Sequence, residues 1–321
     1  MVWTALAVLS WGIWAVLSKA LGEALSADQS QALSTLGLLP ILAVLAGTRS
    51  GRAGIGSSSR KGLALALAGG IVSSLGNLAY YGALAHGEKV ATVVSLTALY
   101  PLTTIALAVI LLGERLNRIQ IFGLGLSLVA IWLFNVQPDG SIFSRTILYA
   151  LPPIVLWGLS GFLQKVATNH ISGEAAALVY LGAFVPVALV LGWRAPWPEP
   201  GRLTPGVWAT VLALGFFLGF GNLAVLAAFA RGGQAAIISP LTGLYPVVSV
   251  PVALALLQCL SAALAVLPTS LAVTTLDLSR VWALLQADVN VSLVFAVTKR
   301  IKDRSLAEKP PKGLGMREHV V

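Results

Sequence analysis

Charge is what this 321-residue sequence has least of: Asp, Glu, Lys and Arg make up 10% of it, against about 25% in an ordinary soluble domain. Twelve acids and 21 bases cannot solvate the surface of a water-soluble chain of this length, whereas a bilayer would cover most of that surface with lipid. The single cysteine, Cys259, excludes a disulfide framework and any multi-cysteine metal site. There is no P-loop, HExxH, GxSxG or Gly-rich dinucleotide turn, so ATP-driven pumping and the usual hydrolase chemistries have no residues to run on. An integral membrane enzyme would need polar clusters at the membrane face, and the short loops offer few; neither enzymatic activity nor a cofactor or metal is expected. Strict alternation of apolar and polar residues is also absent, which disfavours a transmembrane barrel.

What the sequence has instead is apolar length. Hydrophobic residues are 57% of the chain, and they fall into runs of the roughly 20 residues needed to cross about 30 Å of hydrocarbon as helix. Spans are predicted near 3 to 21, 29 to 47, 62 to 84, 90 to 112, 119 to 136, 146 to 167, 175 to 192, 207 to 229 and 235 to 257. A tenth, Leu260 to Leu276, is weaker because Pro268 and several Ser and Thr residues interrupt it. The first run is followed by small residues (Ala24, Ser26, Ala27) of the kind found at signal cleavage sites. Nothing positive precedes Lys19, however, so a mature first helix is expected.

The chain repeats itself. A shift of 145 residues lays Gly76 to Pro101, GNLAYYGALAHGEKVATVVSLTALYP, on Gly221 to Pro246, GNLAVLAAFARGGQAAIISPLTGLYP, with 13 of 26 positions identical. A shift of 146 lays Trp11, Gly12 and Lys19 on Trp157, Gly158 and Lys165. Two homologous halves follow, at 3–136 and 146–276, ahead of a basic tail at 299–321 that is expected to be disordered and cytoplasmic. Five spans per half is an odd number, so the second half enters the membrane from the opposite side. The predicted fold is all-α and integral to the membrane, with about ten helices in two inverted five-helix repeats. Transporters use this arrangement because two opposed copies can rock about a site between them.

The net charge of +9 fits a membrane better than nucleic acid, and no nucleic-acid partner is expected. Seven of the 21 bases follow Thr298. Arg49, Arg52, Arg60 and Lys61 crowd the loop after the second span, and Arg115, Arg118 and Arg231 fall on the same side, against Lys89, Arg145, Arg194 and Arg202 on the other. Positive-inside bias therefore puts both termini in the cytoplasm.

The repeated WG near the start of each half, the paired GN…LYP blocks, and LLGERLNRIQIFGLGLSLVAIWL closing the first half resemble an EamA-type member of the drug/metabolite transporter superfamily over about residues 3 to 258. The resemblance implies ten helices, a central cavity, and movement of small organic solutes across the cytoplasmic membrane, more as export than uptake. It fails where Gln258, Cys259 and Leu260 stand against Gly113, Glu114 and Arg115 of the first half. Either the last helix has diverged or the reading frame changes near Gln258, which translation of the gene's other frames from that point decides.

Candidate solute-binding residues come mostly in repeat-related pairs. Lys19 and Lys165 could meet an anionic group, or snorkel to the interface from late in their helices. Trp11 and Trp157 lie well inside theirs, as walls of a cavity or as core beside Gly12 and Gly158. Asn77 and Asn222 need hydrogen-bond partners in hydrocarbon, either a neighbouring helix or a solute. Tyr81, beside Tyr80, could place a hydroxyl in the cavity, with Val225 and Leu226 as the counterparts of the two. Tyr100 with Pro101 and Tyr245 with Pro246 sit mid-span, where proline forces a kink or a broken helix of the kind that lines sites or hinges motion. Gly215 and Gly219 give a GxxxG spacing for close helix approach. Glu114, Arg115 and Arg118 suit capping or charging a loop better than coupling protons.

The expected function is secondary transport by alternating access, with a small organic solute and the lipid bilayer as partners. A coupling ion or proton and a homodimer are left open. The competing classes are a lipid-linked substrate flippase subunit and a non-transporting membrane protein.

Overall fold

The computed structural model describes residues 1–22, 24–48, 51, 59–85, 90–123, 125–126, 145–249, 251–252 and 255. Most of the fifth expected span, the weak tenth span, Cys259 and the basic tail lie outside these. Among the described residues every regular element is a helix, as a backbone that must satisfy its own polar groups in hydrocarbon requires.

The first half begins with α1 (Val2–Gly22). Its second span comprises α2 (Ala27–Ser34), a 3₁₀ turn at Thr35–Leu38, and α3 (Leu39–Gly47). Then come α4 (Arg60–Ala85), α5 (Val90–Thr97) and α6 (Pro101–Leu112). The second half follows the same order: α7 (Arg145–Thr168), α8 (Gly173–Gly182) with α9 (Phe184–Arg194), α10 (Pro205–Ala230) and α11 (Ala235–Thr242). Among the described residues, six segments are long and apolar enough to cross a membrane: Val2–Gly22, Ala27–Gly47, Arg60–Leu84, Ile147–Thr168, Gly173–Arg194 and Pro205–Ala230. Pro101–Leu112 and Ala235–Ser249 are shorter apolar helices.

Two pairs of spans expected as single helices are interrupted, at matching points in each half. Pro40 and Pro186 lack the N–H that would bond back to Leu36 and Gly182. The 3₁₀ turn at Thr35–Leu38 and the junction at Ala183 fall there. Pro101 opens α6, where a missing donor costs nothing because the first turn has no partner for it. Residues 98–100 form the turn before it. Helix likewise resumes at Pro246 after the turn at 243–245.

Packing crosses between the halves: α1 lies on α10, and α7 lies on α4. Glycines set how close the helices come. A Cβ on Gly215 would collide with the Ser34 carbonyl and lie 2.8 Å from the Cα of Gly37, so backbone meets backbone where α10 crosses the 3₁₀ turn. The counterpart is Gly70, where a Cβ would strike the Tyr180 carbonyl. The buried core runs through Tyr80, Tyr180, Phe184, Leu214 and Leu226. Apolar side chains such as Val44, Ile110, Leu189 and Val247 stay exposed, which suits a surface solvated by lipid.

Candidate functional site

A cavity of about 50 Å³ opens among α1, α4, α7, α10 and the broken helices, lined by Trp11, Asn77 and Tyr100 of the first half and Trp157, Asn222 and Tyr245 of the second. These are the three pairs that the internal repeat singles out. At roughly 10–15 Å³ per water, such a volume holds about three to five water molecules.

Glycine positions the tryptophans. A Cβ on Gly76 would lie 2.5 Å from the Trp157 indole, and one on Gly221 would strike the indole of Trp11. Each tryptophan therefore rests on the glycine that precedes the asparagine of the other half. The rings meet edge to face, with Trp11 6.2 Å and Trp157 6.5 Å from Tyr100. Trp14 joins them 5.7 Å from Trp157.

Tyrosine and threonine link the halves reciprocally. The Tyr100 hydroxyl lies 2.5 Å from Thr242 Oγ1, and the Tyr245 hydroxyl lies 3.1 Å from Thr97 Oγ1 while donating to the Val94 carbonyl at 3.1 Å. Thr97 and Thr242 are repeat counterparts, as are the tyrosines, so one pseudo-twofold relation generates both contacts. All four side chains are buried.

The polar network breaks this symmetry. Trp157 Nε1 donates to Asn77 Oδ1 at 2.9 Å. The equivalent acceptor for Trp11, Asn222 Oδ1, is instead taken by Gln164 Nε2 at 3.3 Å, and Asn222 Nδ2 donates to the Leu218 carbonyl at 2.9 Å. Gln164 exists only in the second half; its counterpart is Ser18, whose short hydroxyl donates to the Ala15 carbonyl and meets the Tyr80 hydroxyl at 3.3 Å. Among the described residues, Trp11 Nε1, Asn77 Nδ2 and Gln164 Oε1 are buried with no hydrogen-bond partner.

Three other candidates stand apart. Tyr81 is buried and accepts from Trp14 Nε1 at 3.3 Å, packed with Tyr80 and not lining the cavity. Neither Lys19 nor Lys165 lines it; Lys165 Nζ donates to Asn169 Oδ1 at 3.0 Å near the end of α7. The pairing of halves did not reveal Gln164, Ser160, Trp14 or Tyr180, which also line the cavity. The available signal for Gln164 was an amide in the middle of an apolar helix, which needs a partner as much as Asn222 does.

At one end of the broken helices, Glu114 reaches from beyond α6 to accept from the N–H groups of Ala235 at 3.1 Å and Ala236 at 2.9 Å. Gly113 makes this possible: at φ 65° it ends α6 in the left-handed conformation and turns the chain toward α11. Gln120 Nε2 adds a bond to the Ala236 carbonyl at 3.2 Å. A carboxylate on the first N–H groups of a helix is a cap, favoured by the helix dipole.

Residues 1–136 match the model of the EamA-like transporter family. One solved crystal structure superposes with a TM-score of 0.56 at 19% identity, covering 79% of this chain and 87% of that one, which shows a shared fold. A separate similarity, short and strong, joins 39 residues to archaeal signal recognition particle 54 kDa proteins. It is 62% identical in Methanothrix thermoacetophila and in Thermococcus gammatolerans. The matched stretch is 12% of this chain and spans only 9% of the length of those relatives.

Proposed function

From the match of residues 1–136 to the model of the EamA-like transporter family, we propose that this multi-pass membrane protein is a secondary transporter of that family that exports small organic solutes across the cytoplasmic membrane by alternating access. The fold proposed with it is ten helices in two inverted five-helix repeats, 3–136 and 146–276, with both termini cytoplasmic.

The observation that supports this most directly is the reciprocal pair Tyr100–Thr242 and Tyr245–Thr97 beside a cavity whose lining includes three repeat-related pairs. Two broken helices, one from each half, meet there. Parting one hydroxyl pair while keeping the other would open the cavity to one side only, and the pseudo-twofold relation supplies the same move for the other side. The small volume fits a conformation closed around the site. Solute would enter as the aromatic side chains of one end separate.

A solute screen in membrane vesicles under an imposed pH gradient, against vesicles lacking the protein, tests this proposal. Accumulation of at least one small organic solute, with its dependence on the gradient, is expected; none, with folded protein present, would defeat it. Cysteine accessibility at Thr48 to Lys61 and in the tail is expected to place both on the cytoplasmic face.

A further inference from the structure

One end of the cavity is closed by a hairpin tip that the first half of the chain grips in two places. α10 and α11 are joined there by residues 231–234, where Gly232 takes a φ of 87° in the left-handed region that favours glycine. Both arms line the cavity, α10 with Val225 and Phe229 and α11 with Ser239 and Thr242. Val225 and Phe229 also belong to a buried apolar cluster with Ala7 and Ile238, and Trp3 packs against it. α1 runs alongside α10, with Trp11 against Gly221 and Trp3 against Arg231, so Trp3 stands about 12 Å from Trp11 toward the tip. The cluster therefore plugs the cavity on the side of the tip.

Beyond the plug, side chains of the first half hold the tip from both sides. The Arg231 guanidinium lies 4.8 Å from the centroid of the Trp3 ring, and its Nη1 donates to the Ala227 carbonyl at 3.0 Å. On the α11 side, Glu114 accepts from Ala235 and Ala236, and its carboxylate also attracts the Lys165 ammonium near the end of α7. These attractions act over a few ångströms, so a small swing of the tip breaks them. α11 is free to swing as a short arm: it has 8 residues, carries Pro240 inside it, and is set off by the turn at 243–245 from the helix that resumes at Pro246.

We infer that the tip between α10 and α11 is the gate at this end of the cavity, and that Trp3 on Arg231 and Glu114 on Ala235 and Ala236 are the latches that keep it shut. In the orientation proposed above this is the cytoplasmic gate, and the inference rests on the alternating access proposed there.

The test reads the gate without any solute. Ser239→Cys puts a thiol in the cavity wall of a chain whose native Cys259 is replaced by Ser, and a membrane-impermeant methanethiosulfonate reagent is applied to the cytoplasmic face of inside-out vesicles. With both latches intact, labelling is expected to be slow. Glu114→Ala and Arg231→Gln are each expected to speed it about three- to tenfold, because labelling follows the fraction of molecules that stand open. Glu114→Gln keeps one acceptor and should speed it less. Gly215→Ala disturbs α10 at the 3₁₀ turn, far from the tip, and should leave the rate unchanged. An unchanged rate in both Glu114→Ala and Arg231→Gln, in protein that melts cooperatively, would overturn the inference, as would an equal rise from Gly215→Ala. Solute transport is scored separately in the same vesicles. Faster labelling with no solute moved would leave the gate standing and count against transport, and transport with labelling indifferent to both latches would do the reverse.

Discussion

Glu114 in the first half caps a helix of the second: its two carboxylate oxygens accept from Ala235 and Ala236, one each. The residue belongs to the GER segment, whose counterparts in the repeat are Gln258, Cys259 and Leu260. The carboxylate thus ties the two halves together at one end of the broken helices.

Replacing Glu114 with Ala is expected to lower stability by about 1 kcal/mol, and by up to about 2 if the partly buried site strengthens the dipole contribution. Glu114→Gln should lose less, because the amide oxygen still accepts one bond. The ordering Ala worse than Gln, read from detergent melting curves, checks the cap. Equal melting of both variants and the unaltered chain would show that the contact holds nothing.

The tyrosine–threonine contacts across the halves call for a double-mutant cycle. Tyr100→Phe and Thr242→Val each remove one hydroxyl, and the pair should show a coupling of about 0.5–1.5 kcal/mol in stability. Tyr245→Phe with Thr97→Val should couple less, since Tyr245 still has the Val94 carbonyl to donate to. Additive effects at Tyr100 and Thr242 would mean the hydroxyls do not act on each other.

Gly215 and Gly182 give a matched pair of substitutions. At Gly215 a methyl would run into the Ser34 carbonyl, whereas at Gly182 a methyl would meet nothing within 4 Å. Gly215→Ala is expected to cost about 1–3 kcal/mol by forcing α10 off the 3₁₀ turn. Gly182→Ala, at the end of α8, should be neutral or stabilising by up to about 1 kcal/mol through helix propensity. Parallel melting of the two variants decides whether close approach or glycine content matters here.

Much of this architecture could be read from residue order, and the reason is symmetry. Trp11 with Trp157, Asn77 with Asn222 and Tyr100 with Tyr245 were recognisable because the repeat shows each residue twice, and all six line the same cavity. Tyr81 and the lysines were chosen by residue type, and type does not say which way a side chain faces around a helix. Gln164 escaped because it has no twin: Ser18 stands in its place, and only the observed competition for Asn222 shows what the longer amide does. The breaks at Thr35–Leu38 and Ala183 were also legible, in Pro40 and Pro186, but two apolar half-helices look like one apolar span when only length and hydropathy are counted. The final span and tail fall outside the described residues.

The same broken symmetry yields a last prediction, in which two tryptophans at equivalent positions respond unequally. Trp157 Nε1 is bonded to Asn77 Oδ1, so Trp157→Phe leaves a buried acceptor without its donor and should cost about 1–3 kcal/mol beyond the change in ring size. Trp11 Nε1 has no partner among the described residues, so Trp11→Phe loses no hydrogen bond seen there and removes a buried donor that was already unsatisfied. Its stability should fall by no more than the cost of the smaller ring. Melting temperatures of both variants separate the two roles: Trp157→Phe should lose clearly more stability than Trp11→Phe. If the two variants melt alike, the bond from Trp157 to Asn77 adds nothing that Trp11 lacks, and the two positions are equivalent in their energetics.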